Sequence, residues 1–315
     1  MASDPFDDQR DIPSLLLPLR RQGQRSPLFC IHPGGGLAWP YARLVPYLDP
    51  DVPVYGLQSR GICMDQDQAP SIESMAADYI DQMMTVQPGG PYYLLGWSLG
   101  AAVAHAIATQ LQARGEKVAL LALLDGYPDS SSAQPPSCSG ITEMSDAEIM
   151  QELIKALSAQ PCAADDMPTS LGQIRQWLEQ TDHMLAGLDE PLLKRILHEV
   201  RDAPRLMQEF DPGLFQGDML FFRATSGEQG NDGLPSVTSW QPYVSGRISI
   251  HDIACQHMAM MQPEALADIA PVVAAALNDS RGVTNSTGSS QPSSSQSSLP
   301  QPSLPQPLSN MEYSS

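Results

Sequence analysis

Between residues 27 and 278, short apolar runs alternate with segments whose apolar positions recur every three or four residues. Leu28–Ile31 (LFCI), Val54–Leu57 (VYGL), Tyr92–Trp97 (YYLLGW) and Val118–Leu124 (VALLALL) are continuous runs. Runs this short with no polar alternation predict strands buried on both faces. Ser71–Met84 sets Ile72, Met75, Ala76, Tyr79, Ile80 and Met83 on one helical stripe, with Ser71 as N-cap. An amphipathic segment lies near Leu37–Leu48, and the small residues of Ala101–Arg114 predict a helix closed by Gly115. Doubly buried strands joined by helices predict an α/β fold, a mostly parallel sheet covered by helices.

From about Ser137 to Phe215 the strand pattern stops. Ser145-Asp146-Ala147-Glu148 is a capping box ahead of Ile149, Leu153, Ile154 and Leu157. Leu171, Ile174, Trp177 and Leu178 keep helical spacing, as do Leu193, Ile196, Leu197 and Val200. Strand-like runs return at Met219–Ala224 and Arg247–Ile253, and a last helix is expected near Pro263–Leu277. A helical block inside an α/β pattern predicts an inserted lid, over about residues 137–217. Residues 1–26 read as a polar arm in which Leu15-Leu16-Leu17 is a short edge-strand candidate. Residues 279–315, dominated by Ser, Pro and Gln, read as a disordered tail.

Composition narrows the class. The chain has 315 residues, enough for one domain with extensions and a sizeable core. Five Cys without a CxxC pair fit neither a disulfide framework nor a zinc ribbon, and point to a reducing compartment. No window approaches the roughly 18 apolar residues of a membrane span, and the acidic N-terminus is unlike a signal peptide. The reading is a soluble cytoplasmic protein. A net charge of −19 argues against nucleic acid or an anionic membrane as partner.

Gly96-Trp97-Ser98-Leu99-Gly100 closes a buried run and opens a helix, the setting in which G-x-S-x-G makes a nucleophile elbow. A turn that tight leaves no room for side chains two positions either side of Ser98. A serine hydroxyl needs a base oriented by an acid, and for this elbow the order is Ser, acid, His. Asp125 ends the next buried run and is the candidate acid. Of six His, His257 follows the last strand by a few residues and is the candidate base. His251 lies within the strand pattern, His105 within the helix after the elbow, and His183 and His198 within the lid. His32 opens the His32-Pro33-Gly34-Gly35-Gly36 loop and is expected to shape it. That loop should give one backbone N–H to an oxyanion hole, the second coming from Leu99. No Lys-Ser or Lys-Thr follows its glycines, so it is not a phosphate loop. Cys255, two residues from His257, lacks an elbow of its own and reads as a core or loop thiol.

Together, Pro27–Gly36, Tyr55-Gly56-Leu57-Gln58, the Gly96–Gly100 elbow, Leu123–Pro128 and the His257 loop resemble the thioesterase domains that end nonribosomal peptide synthetases and some polyketide or fatty acid synthases. The resemblance covers about Pro27 to Leu277. It implies an α/β-hydrolase with a helical lid, in which Ser98 takes an acyl or peptidyl chain from the phosphopantetheine thiol of a carrier protein. It implies His257 as base, Asp125 as its support, and Gly34 (or Gly35) with Leu99 as the oxyanion pair. Release would be by hydrolysis or macrocyclisation, with no cofactor. With no carrier-like segment, the chain looks freestanding or excised from a synthetase. The alternatives are an editing thioesterase, a carrier-independent carboxylesterase or lipase, and a catalytically silent interaction partner. The lid, with 14 acids and 6 bases over 138–217, argues against bulk attraction to an acidic carrier as the docking force. Apolar lid residues and local arginines such as Arg43 or Arg60 are expected there instead.

Overall fold

The computed structural model describes residues 14–63, 69–128, 143–157, 170–180, 188–226 and 237–279. Seven strands form its sheet: β1 (Leu16–Arg20), β2 (Leu28–Ile31), β3 (Val54–Leu57), β4 (Tyr92–Trp97), β5 (Val118–Leu124), β6 (Met219–Ala224) and β7 (Ile248–Ile253). The helices are α1 (Arg60–Cys63), α2 (Ile72–Val86), α3 (Leu99–Ala113), α4 (Asp146–Leu157), α5 (Leu171–Gln180), α6 (Glu190–Glu209) and α7 (Pro263–Asp279). The strand order is β1-β3-β2-β4-β5-β6-β7. β1 runs antiparallel to β3 and every other pairing is parallel.

The continuous apolar runs are explained by burial on two sides. Phe29, Ile31, Tyr92, Leu94, Leu121, Leu123 and Phe221 face α2 and α3. The alternate positions Leu28, Cys30, Tyr93, Leu95, Ala122, Leu124 and Phe222 face α7, through Leu266, Ile269, Ala270 and Val273. Side chains alternate across a strand, so both registers must be apolar. A third apolar cluster joins α4, α5 and α6 to Leu37 and Ile62, which lie beyond the carboxyl ends of β2 and β3. The inserted helices therefore pack on the sheet edge where Ser98 and Asp125 lie.

Several boundaries differ from the sequence expectation. The amphipathic segment near Leu37–Leu48 forms two 3-10 turns, Trp39–Arg43 and Val45–Tyr47, because Pro40 and Pro46 each restart the chain. The edge strand runs on to Arg20, whose guanidinium donates to the carbonyls of Val52 and Asp49. The lid helix begun at Glu190 continues through Pro204 to Glu209. Ser71 caps α2 as expected, accepting from Ser74 N at 3.2 Å, and Ser145 with Glu148 forms the reciprocal capping box of α4. Residues 1–13, the tail from 280 on, and the lid positions near 137 and His183 lie outside the described residues.

Candidate active site

Parallel pairing sets Trp97 beside Leu124, and Leu124 beside Phe222, so the residues that follow β4, β5 and β6 leave the sheet at one edge. Ser98 stands between β4 and α3 with φ 60° and ψ −123°, a conformation costly for any residue but glycine. It is held from both sides: Ser98 N donates to Leu124 O at 3.0 Å, and Ala101 N donates to Ser98 O at 2.9 Å. The two elbow glycines are required for different reasons. A Cβ on Gly96 would strike the Gly100 carbonyl, whereas one on Gly100 would strike the carbonyls of Ile31 and His32. The second collision shows how closely the elbow abuts the start of the glycine loop.

Asp125 also has positive φ, 45°. Its Oδ2 accepts from His257 Nδ1 at 2.8 Å, and His257 Nε2 lies 3.0 Å from Ser98 Oγ. A carboxylate can only accept, so Nδ1 carries the proton and Nε2 is free to receive the one on Ser98. The His257 side chain is 9% exposed and that of Asp125 6%. Trp97 closes one side, its ring centroid 6.0 Å from that of His257. Burial pushes the neighbouring Cys255 thiol up to about 12, with Asp125 and Asp268 adding to the shift. It stays a neutral thiol, with Sγ 3.4 Å from Met260 Sδ.

Gly34 and Gly35 sit beneath the lid: a Cβ on Gly34 would meet Ala203 at 3.4 Å, and one on Gly35 would meet Leu153, Ile196 and Val200. The loop is pinned by Gly36 N donating to Pro33 O and Ser59 N donating to Gly36 O. His32 anchors its start. Its Nδ1 lies 2.7 Å from Pro33 O and must donate, so Nε2 accepts from the Tyr79 hydroxyl at 2.6 Å. Burial lowers its pKa to about 4, which keeps it neutral. Leu99 opens α3, where the first N–H groups have no partner within the helix.

Among the described residues, the remaining histidines do not join this group. His105 is buried against Trp240, with Nε2 donating to Tyr243 O at 3.0 Å, and burial brings its pKa to about 4. His251 stacks on Phe222 and His198 is exposed on α6. Of the arginines expected at a docking face, Arg60 pairs with Asp78 at 2.9 Å and half-buried Arg43 donates to Gln262 at 3.3 Å.

Other contributors carried no clear sequence signal. The main-chain N–H of Ala224 donates to Asp125 Oδ1 at 3.1 Å, as does the Tyr127 hydroxyl, also at 3.1 Å. Trp240 Nε1 donates to Gly126 O at 2.8 Å from a 3-10 segment with no apolar period. Glu199, 1% exposed on α6, reaches down to Gly36 and Gly61. A backbone amide leaves no signature, and a single buried Glu on an amphipathic helix reads as surface.

A mostly parallel sheet with a strained serine after its central strand defines an α/β-hydrolase fold. The NocB thioesterase domain, solved as a covalent complex with a fluorophosphonate nocardicin G analogue, superposes with a TM-score of 0.55 at 23% identity, covering 83% of this chain and 99% of that one. A four-domain nonribosomal peptide synthetase bound to AMP and glycine gives a TM-score of 0.67 at 22% identity, over 83% of this chain and 20% of that one. The chain belongs to the thioesterase domain family, which it matches over residues 26–276. Membership places it among hydrolases. It is 40% identical over 266 residues to the dimodular nonribosomal peptide synthase of Bacillus subtilis, covering 84% of this chain and 11% of that protein. It is 31% identical over 264 residues to enterobactin synthase component F of Escherichia coli, covering 84% of this chain and 18% of the relative. The chain thus spans less than a fifth of either relative. Among the described residues no helix is long and apolar enough to cross a membrane.

Proposed function

We propose that this domain releases an acyl or peptidyl chain from the phosphopantetheine thiol of a carrier protein, in nonribosomal peptide assembly, through an acyl-enzyme on Ser98. The observation that carries the reading is the unbroken series Ser98 Oγ, His257 Nε2, His257 Nδ1, Asp125 Oδ2 in a chain of the thioesterase domain family. His257 takes the Ser98 proton as Oγ attacks the thioester carbonyl, and Asp125 faces the imidazolium that forms. The oxyanion is met by the N–H groups of Leu99 and Gly34, at a helix N-terminus and on the pinned loop. Collapse breaks the C–S bond, and His257 returns its proton to the leaving thiolate. Water, or a hydroxyl or amine of the bound chain, then attacks the ester with His257 again as base. This yields an acid or a macrocycle and regenerates Ser98.

The reading calls on no metal or cofactor, because every proton transfer has a side chain in place. The apolar undersides of α4 and α6 over Gly34 and Gly35 suit an apolar chain and keep bulk water from the ester. To test it, the protein is mixed with acyl-phosphopantetheinyl carrier protein and the released product is read by mass spectrometry. Free acid or macrocycle is expected from wild type and none from Ser98→Ala. Equal release by Ser98→Ala would sink the mechanism. Rapid turnover of p-nitrophenyl esters with no action on the loaded carrier would assign a carrier-independent esterase instead.

A further inference from the structure

Asp125 holds more hydrogen bonds than orienting a histidine requires. Oδ2 serves His257, while Oδ1 accepts both from Ala224 N and from the Tyr127 hydroxyl. Tyr127 is 5% exposed, its ring 5.3 Å from that of Phe221. Burial first, and then the Asp125 charge, push its phenol pKa up, so it is available only as a neutral donor. We propose that Tyr127 is a positioning residue that sets, through Asp125, how strongly His257 holds a proton. This rests on reading Ser98, His257 and Asp125 as the working triad.

The two oxygens of the Asp125 carboxylate share one charge. A carboxylate that accepts a phenol hydrogen bond at Oδ1 has less charge to offer at Oδ2. When His257 takes the Ser98 proton, the imidazolium and the phenol compete for the same carboxylate. The hydroxyl therefore favours the neutral imidazole over the imidazolium. A histidine restrained in this way remains a competent base at lower pH, and gives its proton up more readily to a leaving thiolate.

Other groups around the pair leave this role to Tyr127. Arg223 on β6 is bound bidentately by Asp252 on β7, at 2.7 and 2.8 Å. Cys255 is a neutral thiol, and Asp268 on α7 acts on it. On α4, which packs against His257–Ala259, Asp146 is paired with Arg201, Glu148 is bound to Ser145, and Glu152 also lies on that helix. The loop itself is held independently by Trp240 Nε1 on Gly126 O and by Asp125 N on Phe222 O at 2.8 Å. Removing one hydroxyl should thus leave the loop in place.

The test is Tyr127→Phe in the full chain, with the rate of Ser98 labelling by a fluorophosphonate followed from about pH 5 to about pH 9. This readout needs neither carrier nor acyl substrate. The acidic limb of the profile should move up by about half a pH unit. On the carrier thioester, kcat should fall several-fold with KM unchanged. Replacing Tyr127 by 3-fluorotyrosine, a stronger donor, should move the limb the other way. Trp240→Phe, which loosens the loop without touching the carboxylate, should slow labelling and leave the limb where it is. An unmoved limb in Tyr127→Phe, or an equal shift in Trp240→Phe, would overturn the proposal while leaving the triad intact. Wild-type protein that is not labelled at Ser98 would overturn the triad reading itself.

Discussion

Lowering the pH from about 7.5 to about 5 should cost the fold about 4 kcal/mol, and two buried histidines should account for the loss. His32 and His105 are both fully buried, and burial holds each at about 4 against an ordinary 6.5. Between those values the unfolded chain binds a proton that the folded chain refuses, so stability rises with pH across the window and falls as pH drops through it. At about pH 5 the unfolded histidine is almost wholly protonated and the folded one almost wholly neutral, which amounts to about 2 kcal/mol for each residue. Carboxylates with lowered pKa, such as Asp252 and Glu148, act only below 3.8 and 4.5, beneath this range. The assay is urea denaturation of wild type and His105→Gln at both pH values. Gln keeps a donor for Tyr243 O but cannot titrate, so its acid loss should be about half that of wild type. A wild-type loss under about 1 kcal/mol, or an equal loss in the variant, would refute the reasoning.

Ser98 at φ 60° should make Ser98→Gly more stable than Ser98→Ala by about 1 kcal/mol, reversing the usual order of those residues at an ordinary φ. Chemical denaturation of the pair decides it, and an Ala variant as stable as the Gly variant would count against backbone strain. Carrier turnover should change less than about twofold when salt is raised from about 0.05 to about 0.5 M. The chain carries −19 and Arg60 is already paired, so a steep loss with salt would argue for an electrostatic docking face.

The sheet was legible because burial on both faces forces every position of Tyr92–Trp97 and Val118–Leu124 to be apolar. The elbow was legible because two backbone collisions leave glycine as the residue that fits at 96 and at 100. His257 could be singled out by chain order, since a base after the last strand must return to the edge where Ser98 emerges. What escaped was set by contacts distant in sequence. Trp240 reaches Gly126 across 114 positions, and Ala224 reaches Asp125 across 99. The 3-10 form of the amphipathic segment after the glycine loop also escaped, because apolar spacing says nothing of two prolines breaking the backbone ladder. Tyr127 stood in full view within Leu-Asp-Gly-Tyr-Pro, yet only the fold directs its hydroxyl onto the acid.

The insertion between β5 and β6 joins two strands that are immediate neighbours, with Leu123 opposite Phe221 and Leu124 opposite Phe222. Because the two strands are parallel, the insertion leaves at the carboxyl edge after Leu124 and re-enters at the amino edge before Met219, while the main-chain N–H of Ala224, at the carboxyl end of β6, holds Asp125. The cost of closing such an excursion grows only slowly with its length. A change in the length of the excursion accordingly leaves the register of β5 against β6, and with it the place of Asp125, unchanged. The lid is nonetheless tied to the site, α4 packing on His257–Ala259 and α6 on Gly34 to Gly36, so a foreign lid grafted between Tyr127 and Met219 must keep those contacts if Ser98, His257 and Asp125 are to stay in register.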